Sequence, residues 1–119
     1  MNRETHIDRP ELAIQSWQKQ KTFYRENKAL LEVVEYILSE NLNNRLHASN
    51  SHHLLNISPR HRWNAKVHVL RIGYEGDKAM IELFSPLGEL ATTESVTPKE
   101  LLEKVKNLIE FLLNEYELY

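Results

Sequence analysis

The sequence predicts an α+β fold: a long N-terminal helix, a three-stranded antiparallel β-meander and a C-terminal amphipathic helix, in the order α-β-β-β-α. Three observations predict it. Apolar residues recur at helical spacing over the first third and the last fifth of the chain. Between them, residues 66–96 turn to branched side chains broken by short Gly- and Pro-bearing turns. Neither a domain linker nor an internal repeat interrupts the chain, so residues 1–119 are expected to form a single domain, as domains of about 100–150 residues commonly do.

The C-terminal helix carries the clearest signal. Thr97-Pro98-Lys99-Glu100 combines a capping hydroxyl, a first-turn proline and a glutamate three residues after the cap. Leu101, Leu102, Val105, Leu108, Ile109, Leu112 and Tyr116 then trace one face, with Glu103, Lys106, Glu110 and Asn114 opposite. In the middle, residues 66–73, 78–85 and 90–96 read as strands, joined at Tyr74-Glu75-Gly76-Asp77 and Pro86-Leu87-Gly88-Glu89. Ile81 and Leu83 fall on one face of the second strand, Met80 and Phe84 on the other. The threonine-bearing third strand suits a sheet edge.

Residues 1–8 are polar and expected to be flexible, with Asp8 and Pro10 as a helix start. Residues 9–43 read as one helix or a helical pair breaking near Glu26-Asn27. Trp17, Tyr24, Leu31 and Leu38 recur every seven residues and are the expected oligomer interface, a seam that a symmetric dimer could bury. Residues 44–63 lose periodicity and read as a loop, of which Leu54, Leu55 and Ile57 dock on the core; residues 64–119 form the βββα unit.

Charge is segregated. Lys+Arg against Asp+Glu counts 6 to 7 over residues 1–40, 5 to 0 over 41–74, and 4 to 10 over 75–119. The basic segment holds five of the six histidines. Arg45, Arg60, Arg62, Lys66 and Arg71, with Trp63 as a stacking surface, are therefore the candidate anion- or nucleic-acid-binding residues. The competing expectation is architectural: these cations neutralise carboxylates of the acidic C-terminal part. A formal net charge of −2 falls short of the basic balance of dedicated nucleic-acid domains.

Catalytic and metal motifs are scarce. His47, His52, His53 and His61 match no zinc spacing, and cysteine is absent, so neither a metal nor a cofactor is expected. His61 and His68 with Arg62 and Arg71 are the groups that a ribonuclease-type acid–base mechanism would need, but no GxSxG, P-loop or HExxH accompanies them. Protonation of the histidines near pH 6.5 would raise the charge of the segment. With no run of about 18 apolar residues, no membrane span is expected, and a cytoplasmic location is the default. The function expected is that of a small, non-enzymatic, macromolecule-binding protein that forms a homodimer. A nucleic-acid or nucleotide phosphate binder is the first alternative, a histidine-dependent ribonuclease the second.

Overall fold

The computed structural model describes residues 10–59 and 66–116. The elements in chain order are α1 (Pro10–Phe23), α2 (Lys28–Ser39), a single 3₁₀ turn (Leu42–Asn44), β1 (Leu46–Ser51), β2 (Leu54–Pro59), β3 (Val69–Glu75), β4 (Lys78–Phe84), β5 (Leu90–Val96) and α3 (Pro98–Glu115). The five strands make one antiparallel sheet in sequence order, β1-β2-β3-β4-β5. The fold is α+β, and the expected meander β3-β4-β5 is present with β5 at its edge. It is a five-stranded sheet, however, not a three-stranded one.

The extra hairpin lies where a loop was expected. β1 and β2 pair from Leu46↔Pro59 to Ser51↔Leu54, leaving only His52 and His53 between them. Both have positive φ, 52° and 70°. That is the backbone of a type I′ turn, whose twist matches that of the strands it joins. Asparagine and glycine usually signal such turns; histidine tolerates the left-handed region but does not advertise it. Alternation was the legible signal, because Leu55, Ile57 and Pro59 are buried while their neighbours are not.

The N-terminal helix divides. Asn27 is the N-cap of α2, its side chain accepting from Leu30 N at 3.3 Å. Of the two expected arrangements the helical pair is the one formed, and this corrects the seam assigned to a partner. Trp17 is fully buried and Tyr24 nearly so within the chain's own core, while Leu38 packs against that core half-buried. Leu31 is half-buried on α2. The heptad spacing arose because both helices face the same sheet, so Trp17 and Tyr24 are not available to a second copy.

Trp17 does more than fill space. Its Nε1–H donates to the Leu46 carbonyl at 3.0 Å, and Ser16 Oγ donates to the Ala48 carbonyl at 3.3 Å. Those two carbonyls lie two residues apart on edge strand β1, so α1 occupies hydrogen-bonding positions that an open edge would offer to another chain. Where α3 begins, the Glu100 carboxylate accepts from both the N–H and the hydroxyl of Thr97, at 3.1 and 3.0 Å. These bonds hold the Glu100 carboxyl below the usual carboxylate range. Every helix among the described residues lies on one side of the sheet: Leu55, Ile57, Leu70, Ile72, Ala79 and Ile81 form one buried cluster with Val33, Ile37, Leu101, Val105 and Leu112.

Candidate functional site: the open face of the sheet

Side chains alternate across a strand, so burying one face under helices leaves the other to be explained. The register lays out that second face. Its central row runs Ser49, Asn56, Arg71, Glu82, Thr93 across all five strands. On one side Val69, Phe84 and Leu90 share a row, and on the other Leu54, Gly73, Met80 and Ser95 do. Among the described residues no helix covers this face. Val69, Met80 and Phe84 are half-buried, and Leu90 is 50% exposed.

Arg71 stands at the centre and is held there. Its Nε–H donates to Asn56 Oδ1 at 3.0 Å, and its guanidinium carbon lies 4.7 Å from the centroid of the Phe84 ring. A cation against an aromatic face adds about 0.5–1 kcal/mol at an exposed site. Glu82, directly opposite Arg71 in the ladder, takes no part in this: the three ion pairs among the described residues are Lys21–Glu35, Lys104–Glu94 and Lys106–Glu103. Beside Glu82 lies a groove of about 210 Å³ over Gly73, bounded by Leu54 and Met80. A Cβ on Gly73 would run into the Leu54 side chain, so the missing side chain is what lets Leu54 fold over the sheet.

The other basic candidates are not gathered on this face. The Arg45 guanidinium donates to the Leu113 carbonyl at 3.2 Å, in the last turn of α3. There it satisfies a carbonyl left over by the helix and sits at the negative end of the helix dipole. Lys66 is exposed. Arg60, Arg62 and Trp63 lie outside the described residues, as do His61 and Asp8. Neither Arg45 nor Arg71 meets a carboxylate within ion-pair distance, so the architectural expectation of cations paired with the acidic C-terminal part is not realised at these two positions.

The histidines scatter. His68 presents Nδ1 to Tyr116 Oη at 2.7 Å while its backbone N–H donates to the same oxygen at 3.1 Å, and Phe111 lies edge-on at 5.2 Å. His52 and His53 occupy the β1–β2 turn, beside a cleft of about 430 Å³ whose walls include Phe23, Tyr24 and Tyr74. Tyr24 clamps that turn: its hydroxyl donates to the His53 carbonyl at 3.1 Å and accepts from Asn50 at 2.9 Å. Burial pushes the Tyr24 phenol up, and the Asn50 hydrogen bond offsets part of that. Among the described residues no three His, Asp or Glu side chains converge as metal ligands would, and no helix is long and apolar enough to cross a membrane.

Compared with protein-family models, with curated proteins and with solved structures, the chain matches none. Its own geometry is therefore the ground for a functional reading.

Proposed function

We propose that this is a non-enzymatic binding protein that docks another protein chain on the open face of its sheet. One observation carries the reading: a face of five strands, uncovered among the described residues, presents apolar side chains on both sides (Val69, Phe84 and Leu90; Leu54 and Met80) of a central row in which Arg71 is already fixed by Asn56 and Phe84. Interfaces favour this composition, with aromatic residues, Met and Arg enriched near the centre. Fixing Arg71 beforehand also lowers the entropy lost on docking.

The phosphate-binding reading draws less support from the same face. Glu82 stands beside Arg71 in the ladder, and a carboxylate there repels a phosphate backbone. Arg45, a second cation of that reading, is committed to the end of α3.

The test is a photo-crosslinking residue at position 84, with position 107 on the exposed side of α3 as control. The reading expects protein adducts from position 84 and few from 107. Adducts that nuclease removes would instead favour the nucleic-acid alternative, and an absence of adducts from 84 would refute docking on this face.

A further inference from the structure

Resting on that reading, we infer that the occupant of the open face is a second copy of this chain, packed sheet on sheet about a two-fold axis. The first support is charge. Arg71 and Glu82 face each other across β3 and β4, yet Arg71 turns to Asn56 and Phe84. No hydrogen bond or ion pair engages the Glu82 carboxylate among the described residues. The face therefore carries one cation and one unmatched anion side by side at its middle. A two-fold axis running along the strands between β3 and β4 reverses their order. Each Arg71 then meets the partner's Glu82, and both carboxylates are answered. A symmetric interface requires this self-complementarity.

The second support is shape. The same axis opposes rows that the ladder pairs: Val69 to the partner's Phe84, and Met80 to the partner's Gly73. Met80 thus projects toward the partner's groove of about 210 Å³, which Leu54 and Gly73 help to line. Flexible methionine suits such a gap.

Size sets the expected strength. The axis lays β2 to β5 on their counterparts, and four strands at about 4.8 Å spacing with about six residues at 3.3 Å give a footprint on the order of 19 by 20 Å. That lies below the roughly 800 Å² per partner of a standard interface and matches a small, concentration-dependent dimer. Packed sheets of this kind lie about 10 Å apart.

Edge-to-edge pairing is the rival geometry, and the molecule is asymmetric in that respect: α1 occupies the β1 edge, whereas β5 is exposed from Leu90 to Ser95. A β5–β5 dimer would not depend on Arg71 or Glu82, which lie on the two strands inward.

The experiment is sedimentation velocity at about 50 µM chain, where a micromolar dimer is largely assembled. The unmodified chain is expected at the mass of two chains. Arg71→Glu and Glu82→Arg are each expected at one chain, because each places like charges across the axis. The double variant Arg71→Glu/Glu82→Arg restores complementarity and the dimer, and an equimolar mixture of the two single variants forms a heterodimer. Circular dichroism checks the fold of each; should the reversals unfold, Thr93→Arg at an exposed position of the same row is expected to give a folded monomer.

Self-association on this face is overturned by a one-chain mass for the unmodified protein, or by single variants that stay dimeric. The two proposals fail separately. A monomer that still crosslinks from position 84 to a different protein overturns the second copy and keeps the docking face. A monomer without adducts overturns both.

Discussion

The two faces of the sheet come from the same residues in alternation, yet they were finished differently. On the helix side, Leu55, Ile57, Leu70, Ile72 and Ile81 are closed to solvent. On the other side, Val69, Met80 and Phe84 stop at half-burial, and a guanidinium lies among them. A face meant only for water would be polar throughout, and a face meant for the core would exclude Arg71 and Glu82. The mixture on the open face is what the proposed interface would use. The edges repeat the lesson, since α1 closes β1 while β5 is left exposed.

The sharpest way to break this comparison is to truncate matched positions. Ile81→Ala, on the covered face, is expected to cost about 2–5 kcal/mol in urea unfolding monitored on dilute protein. Phe84→Ala, three residues on and facing outward, is expected to cost about 1 kcal/mol, mostly the lost contact with Arg71. Equal costs would mean that the outer face is packed as a core.

The covered side extends to the β1–β2 turn through Tyr24. Tyr24→Phe removes one hydrogen bond to the His53 carbonyl and one from Asn50, with an expected loss of about 1–1.5 kcal/mol. A pH signature accompanies it. Because the folded Tyr24 phenol titrates above its ordinary value of 10.0, its contribution is complete below pH 10 and is lost as pH rises through the folded value. Stability curves of the wild type should fall more steeply on the alkaline side than those of Tyr24→Phe.

A smaller effect in the opposite direction is expected from His52→Asn with His53→Gly. These residues relieve two positive-φ positions, and a gain of about 1 kcal/mol in thermal unfolding is expected. Smallest of all is Glu100. Its folded carboxyl titrates below 4.5, so its help is present above the unfolded value and disappears as pH falls through the folded one. Glu100→Gln should flatten the acid limb of the stability profile without altering the alkaline limb.

Much of this fold was legible in the residues. Thr97-Pro98 announced α3, and Gly76-Asp77 with Gly88 announced the turns of β3-β4-β5, because proline and glycine leave few backbone choices. The β1–β2 hairpin was hidden for the converse reason: its turn is His-His, and its first strand, Leu46–Ser51, is polar from Ser49 onward. The heptad of Trp17, Tyr24, Leu31 and Leu38 misled because spacing reports a buried stripe and not what buries it. Arg71 was visible as a candidate, but its setting was not. Asn56 belonged to the unseen hairpin, and Glu82 was counted with an acidic region far along the chain. Only the register sets the three side by side.

Sedimentation equilibrium of the unmodified chain and of Phe84→Glu, over a range of concentrations, tests the role of the open face most directly. The unmodified chain should move from one-chain to two-chain mass as concentration rises, and Phe84→Glu, folded by circular dichroism, should remain at one. A one-chain mass for both, or a dimer that Phe84→Glu leaves intact, would contradict the assignment of this face to a second copy.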